Sequence, residues 1–292
     1  MIVITTPTGD IGARVLDHVL DAGRDVRIVV RNVSSLPDGL RKRVEVVEGS
    51  HADRDVIEPA LSGAQSVFWL PPGSPSSPSA KAAYVEFSRA FCDVLPPSTV
   101  THVVGISALG RGWTEPAGHV TASLRMDDMI GGTGINYCAL TCASLMDNIL
   151  RQAESIREAG VFYQPTPGDL KLPHVAKSDV AAAAARLLLA PDWQGVAELP
   201  LYGPEDLSFE EMAATMSDVL GRPIRFEEMS MAQLEEMAKA IGASEGMARS
   251  MVLMFTAKND GMDTMTRPVA RDDTPTTFRQ WCEAELRPAI AV

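Results

Sequence analysis

The chain of 292 residues has little cysteine, few aromatic residues and no excess of positive charge. Its four cysteines, Cys92, Cys138, Cys142 and Cys282, form neither a CxxC pair nor a dense disulfide framework. Cys138 and Cys142 lack the His or Cys partners of a zinc site, so all four read as buried free thiols. Against 38 Asp and Glu stand only 26 Lys and Arg, a net charge of −12, and no basic block interrupts it. That balance excludes a nucleic-acid binder that tracks phosphates. The richest apolar run, 181–190, contains Arg186, so no stretch nears the roughly 18 residues of a membrane span. The chain enters Ile2-Val3-Ile4 without the basic segment, long apolar segment and cleavage site of a secretory signal. A cytoplasmic protein with neither membrane nor nucleic-acid partner is expected. His18, His51, His102 and His174 are scattered without metal-ligand spacing, and no metal is expected. What remains is an ordinary globular composition, 46% hydrophobic and 22% charged, long enough for one large or two modest domains.

The first half alternates β-branched runs with helical spacing, the pattern of βαβ units around a parallel sheet. Strands are expected at Ile2–Thr5, Val26–Val30, Val44–Glu48, Ser66–Leu70, Val100–Ile106 and Asn136–Leu140. Helices are expected at 12–22, ended by Gly23, at 54–61, capped by Asp53, and at 80–95. Right-handed crossovers make this a doubly wound α/β Rossmann sheet over residues 1–150, completed by about 175–205. A helix at 178–189 and a strand at 197–201 supply that completion. Residues 206–292 form a smaller, mainly helical substrate lobe, with amphipathic helices at 210–220 and 231–241. Ten of the 14 Met lie between Met212 and Met265, as core or as the lining of a pocket for a bulky apolar ligand. The segment 71–79, PPGSPSSPS, reads equally as a surface connection or as a mobile loop beside a ligand, since it starts where the fourth strand ends.

The most informative local pattern is IVITTPTGDIG at 2–12, a strand that turns through small residues into a helix. Such a turn presents backbone N–H groups and a positive helix end to a pyrophosphate, with Gly9 and Gly12 where close approach is needed. Thr6 stands where a three-glycine fingerprint has its first Gly. At the end of the second strand, where an NAD enzyme offers Asp or Glu to the ribose, stands Arg31. A guanidinium there either covers the strand end or pairs with a 2′-phosphate, and its spacing from Gly9 and Gly12 favours NADP(H). Asn32, Ser34 and Ser35 can add hydrogen bonds.

These features resemble the NmrA-like branch of the atypical short-chain dehydrogenase/reductases. The resemblance is carried by TPTGDIG at 6–12, VVRN at 29–32, SGAQSVFWLPP at 62–72, HVVGISALG at 102–110, GTGINYCALTCASLMDNIL at 132–150, AKSDVA at 176–181, YGPEDLSFEEMA at 202–213, GRPIRF at 221–226 and TPTTFRQW at 274–281. It implies an NADP(H) site built from Thr6, Thr8, Gly9, Asp10, Ile11, Gly12, Arg31, Asn32, Ser50, Leu70, Pro71 and Ser107. The family usually has Gly at position 6, an acidic residue after Gly49 where this chain has Ser50-His51, and Arg-Pro where it has Thr141-Cys142.

Reductases of the wider family use a Tyr-x-x-x-Lys pair as proton donor. Here the residues four places after each Tyr are Ser88, Thr141, Pro167 and Asp206, so no pair exists. The resemblance puts His119 and Ser123 at those two positions, and Ser107 at the place of the family's catalytic Ser. Ser107 and His119 are therefore the candidate catalytic residues, with a donor on the substrate itself as a third source of the proton. The expected activity is NADPH-dependent reduction of a large planar, polycyclic aromatic ketone, as in natural-product or antibiotic tailoring. The alternatives are a quinone or azo reductase and an NADP(H) redox sensor without turnover.

Overall fold

The computed structural model describes residues 1–265 and 273–291. Its β-branched runs form β1 (Ile2–Thr5), β2 (Val26–Val30), β3 (Glu45–Glu48), β4 (Ser66–Trp69), β5 (His102–Ala108) and β6 (Asn136–Cys142), all paired in parallel. A seventh strand, Val196–Leu201, joins the outer edge of β6. The order across the sheet is Val196–Leu201, β6, β5, β4, β1, β2, β3. The chain thus builds outward from β1 through β2 and β3, then reverses through β4, β5 and β6. That reversal puts the topological switch point between β1 and β4, where a crevice opens at the carboxyl ends of the strands.

Alternation along the central strands feeds two apolar layers, as a parallel sheet covered on both faces requires. Ile2, Ile4, Ile28, Phe68 and Val104 meet Val15, Leu16 and Val19 of α1 (Asp10–Asp21) and the Ala-rich helix Lys177–Leu189. Val3, Val29, Val67, Trp69 and Val103 face helices Arg54–Leu61, Arg89–Val94 and His119–Gly131. Burying a side chain of this size contributes about 1.5–3 kcal/mol, so the two layers dominate the favourable side of folding.

Strand limits differ from the sequence expectation by one or two residues, mostly because β5 and β6 run on to Ala108 and Cys142. Asp53 does precede helix Arg54–Leu61, but its side chain makes no capping hydrogen bond. The helix expected over 80–95 is interrupted. A widened, π-type turn at Ala82–Glu86 is followed by Ser88 outside helical geometry, where its Oγ accepts a hydrogen bond from the buried Trp69 Nε1 at 3.1 Å. A tertiary bond to the sheet overrides local propensity there.

A further core lies towards the C-terminus, where Phe162, Phe209, Met212, Met216, Phe278 and Trp281 pack with Met146, Ile149 and Ile156. Helices Phe209–Leu220 and Met231–Ala240 both open with capping boxes, Ser208 with Glu211 and Ser230 with Gln233. The last segment is fastened back onto the sheet domain: Asp179 accepts from Thr276 N at 2.9 Å and Thr276 Oγ1 at 2.6 Å. The four cysteines are buried and free. Among the described residues no helix is long and apolar enough to cross a membrane.

Candidate active site

The carboxyl ends of β1 and β4 are joined through one side chain. Thr5 Oγ1 donates to the Phe68 carbonyl and accepts from Leu70 N, both at 2.9 Å. The next residue, Thr6, has φ +48°, the only positive φ of a non-glycine among the described residues. That left-handed conformation costs a β-branched residue about 1–2 kcal/mol, which explains why the resembled family prefers Gly there. Its carbonyl accepts from Gly9 N at 3.0 Å and closes the turn.

The two glycines of the turn do different work. A Cβ on Gly12 would stand 2.1 Å from the Thr6 carbonyl oxygen, so α1 can lie on the turn only with Gly at that point. A Cβ on Gly9 would meet nothing closer than 3.4 Å. The fold tolerates a side chain there, and its absence leaves the helix start open to the crevice. Gly9 caps α1 without any side-chain bond, so the first N–H groups and the positive end of the helix dipole face a ligand.

The crevice has a volume of about 520 Å³, and Thr6, Thr8, Gly9, Asp10, Arg31, Ser50, Leu70 and Pro71 all line it. Ile11, Gly12, Asn32 and Ser107 do not. Ile11 is buried in the apolar layer under α1. Asn32 spends its carbonyl on the next turn, accepting from Ser34 N at 2.9 Å and Ser34 Oγ at 2.7 Å. Ser50 Oγ accepts from Ala52 N at 3.2 Å. Arg31 is exposed and makes no hydrogen bond or ion pair with another described residue. Asp10 is paired with Lys177 Nζ at 2.5 Å, and that bond holds its carboxyl below the usual range. The pairing offsets a negative charge that would otherwise repel a phosphate at the helix end.

Pro71, Pro72, Ser74 and Ser77 make the segment 71–79 a wall of the crevice. That wall is tied to the C-terminal region: Ser244 Oγ, at the start of helix Glu245–Asn259, donates to the Ser77 carbonyl at 2.5 Å, and Ser244 N donates to Pro75 at 3.0 Å. His51 and Phe87 complete the lining. The His51 ring stands edge-on to Trp69 and Phe87, with Nε2 3.2 Å from the Leu70 carbonyl. Burial pushes its imidazole down to about 4, so it stays neutral at physiological pH.

Ser107 is buried at the end of β5 in a second polar group. Its Oγ bonds to Asp127 Oδ2 and lies 3.2 Å from Ser123 Oγ, while Tyr137 Oη donates to Asp127 Oδ1 at 2.6 Å. Burial pushes the Asp127 carboxyl up to about 7, against the lowering effect of the bonds from Ser107 and Tyr137. His119 opens helix His119–Gly131, half-buried with its ring edge-on to Tyr84 at 6.1 Å, and burial lowers its imidazole. It makes no bond to Ser107. Among the described residues no three His, Cys, Asp or Glu side chains are grouped to hold a metal.

Sequence reasoning missed His51, Phe87, Asp127 and Tyr137. The signal for Asp127 was present: His119, Ser123 and Asp127 recur every fourth residue on one helix face, and two of the three are buried polar groups. The strand partners Ser107 and Tyr137 come from β5 and β6, a juxtaposition that no local spacing encodes.

A nucleotide-sized crevice at the switch point, a bare helix start and a free guanidinium at the end of β2 define a Rossmann-type dinucleotide-binding protein. The chain belongs to the NAD(P)H-binding family, whose profile matches residues 7–191. The chain is 32% identical to the (4-alkanoyl-5-oxo-2,5-dihydrofuran-3-yl)methyl phosphate reductase of Streptomyces griseus, over 100% of this chain and 99% of that protein. It is 26% identical to the NAD(P)H azoreductase of Xenophilus azovorans, over 86% and 85%. Among solved structures, the NADPH-dependent quinone oxidoreductase of Escherichia coli in complex with NADPH superposes with a TM-score of 0.77 at 22% identity, covering 100% of this chain and 99% of that one.

Proposed function

We propose that this NADPH-dependent oxidoreductase reduces a conjugated, planar carbonyl acceptor, an aromatic ketone or a quinone. The observation that carries the reading is the free Arg31 guanidinium at the crevice that Gly9 opens. Thr6, Thr8, Gly9 and the first turn of α1 would hold the pyrophosphate, Arg31 the 2′-phosphate, and Leu70 and Pro71 the path towards β5. When bound, the reduced nicotinamide supplies a hydride. The protein's own part is to orient the acceptor, exclude water and hold a hydroxyl, Ser107, for the oxygen on which negative charge develops. Because no Tyr-x-x-x-Lys pair is present, an acceptor whose charge is delocalised by conjugation suits the site better than a simple aliphatic ketone. The relatives named above for reduction of an acyl furanone, azo compounds and quinones all carry conjugated acceptors, which supports the same reading.

NADPH oxidation is to be followed with a polycyclic aromatic ketone, a quinone, an acyl butenolide, an azo dye and an aliphatic ketone. Turnover of the conjugated carbonyls, weak or no turnover of the aliphatic ketone, and a preference for NADPH over NADH are expected. Tight NADPH binding with no turnover of any acceptor would replace this reading by a nucleotide sensor.

A further inference from the structure

The buried group around Ser107 has a directional property that follows from counting protons. An ionised carboxylate only accepts, so when Asp127 is charged, Ser107 and Tyr137 both point their hydrogens at it. A neutral carboxylic acid has one hydrogen to give. Tyr137 Oη already donates to Oδ1 and is held protonated by its burial, so the acid hydrogen on Oδ2 goes to Ser107 Oγ. The Ser107 hydrogen is then released from Asp127, and until an acceptor oxygen arrives it is shared with Ser123 Oγ, 3.2 Å away.

We propose that Asp127 is the positioning residue of Ser107, donating to Ser107 Oγ so that the serine hydrogen faces the acceptor oxygen, and reloading the serine once that hydrogen has been given up. The inference rests on the reductase reading above. In the step itself the hydride, with its electron pair, bonds to the acceptor carbon, and the carbonyl π pair takes the Ser107 hydrogen as a proton. Ser107 takes the Asp127 proton, and Asp127 is left as a carboxylate. The products are the alcohol and the oxidised nicotinamide. Asp127 regains its proton from water through a separate cleft of about 190 Å³, walled by Asp127, Tyr137, Arg111 and Glu198.

The surroundings fit a residue that must change charge. Arg111 bridges Asp128 and Glu198 at 2.7 Å each; its charge lowers the Asp127 carboxyl, but burial, the larger effect, outweighs it and disfavours the anion. Glu198 from the seventh strand disfavours that anion further. Cys92 and Cys138 lie near Tyr137, and burial raises both thiols, so neither contributes charge near neutrality. With its carboxyl up at about 7, Asp127 is largely protonated below neutrality and loses the proton above it.

The test has a binding-free and a kinetic arm. In the free protein, carboxyl ¹³C NMR of Asp127 is expected to titrate with a midpoint near 7, and to move higher in Ser107→Ala and in Tyr137→Phe, each of which removes a donor to the carboxylate. In single-turnover reduction of an aromatic ketone, wild type is expected to slow as pH rises through that midpoint. Asp127→Asn, which keeps the shape and still donates to Ser107, is expected to slow the step by about 10²-fold at pH 6 and to erase the pH limb. The double variant with Ser107→Ala is expected to be little slower than either single one, because the pair acts as a unit. Thermal melting checks that each variant is folded, and Tyr137→Phe serves if Asp127→Asn is not, with its pH limb shifted upward. A pH limb that survives in Asp127→Asn, or an Asp127 that titrates as an ordinary carboxylate, overturns the proposal alone. No turnover of any acceptor by wild type overturns the reductase reading and this step with it.

Discussion

The nucleotide crevice and the Asp127 group lie at the ends of neighbouring strands and treat their polar atoms in opposite ways. In the crevice, polar capacity is left over: α1 starts without a side-chain cap, Arg31 pairs with no described residue, and the buried Thr6 Oγ1 has no partner. Around Asp127 both carboxylate oxygens are bonded, and Ser107, Ser123 and Tyr137 are engaged with one another or with the acid. The first arrangement holds groups ready for a ligand that brings its own charge. The second is preorganised, so that a single proton, entering or leaving, redirects it.

The contrast can be broken most sharply at the glycines. Gly9→Val is expected to leave a folded protein with no NADPH binding detectable by calorimetry, because the fold has room for a side chain at that position and the ligand does not. At the network, the largest effect lies in the pH dependence of stability. Asp127 binds its proton up to about 7 in the folded chain but only to its ordinary 3.8 when unfolded. Its contribution is therefore greatest below 3.8 and is lost as pH rises to 7. Urea unfolding of Asp127→Asn is expected to flatten that decline, gaining a few kcal/mol on wild type between pH 4 and pH 8. Gly12→Ala is expected to cost about 2–3 kcal/mol in the same assay, through overlap with the Thr6 carbonyl. Arg31→Ala is expected to weaken NADPH by about 1.5–3 kcal/mol and leave NADH nearly unchanged, measured by titrating both nucleotides. The smallest change is Ser244→Ala, about 1 kcal/mol in thermal stability for a lost helix cap.

The same contrast decides what could be read from the sequence. The phosphate turn and Arg31 were legible because βαβ geometry fixes their spacing along the chain, and the strands were legible because central parallel strands are apolar throughout. The break at Ser88 was not, since it depends on Trp69 reaching across from β4. Nor were His51, which the packing of Trp69 and Phe87 turns into a neutral wall, or Asp127, whose acidity is set by burial. The different duties of Gly9 and Gly12 were also invisible, because both satisfy the same motif and only the distance to the Thr6 carbonyl separates them.

The hook between Ser244 and Ser77 has a thermodynamic consequence. The segment 71–79 walls the nucleotide crevice and is anchored on a helix that belongs to the C-terminal part of the chain. Whatever ordering a nucleotide imposes on that segment is transmitted to the anchor, and an acceptor that contacted the anchor would act back on the segment. By linkage the two influences are equal, so the factor by which NADPH sharpens acceptor affinity is the factor by which acceptor sharpens NADPH affinity. If Ser244 carries that coupling, removing its hydroxyl lowers the factor by the same amount in both titrations.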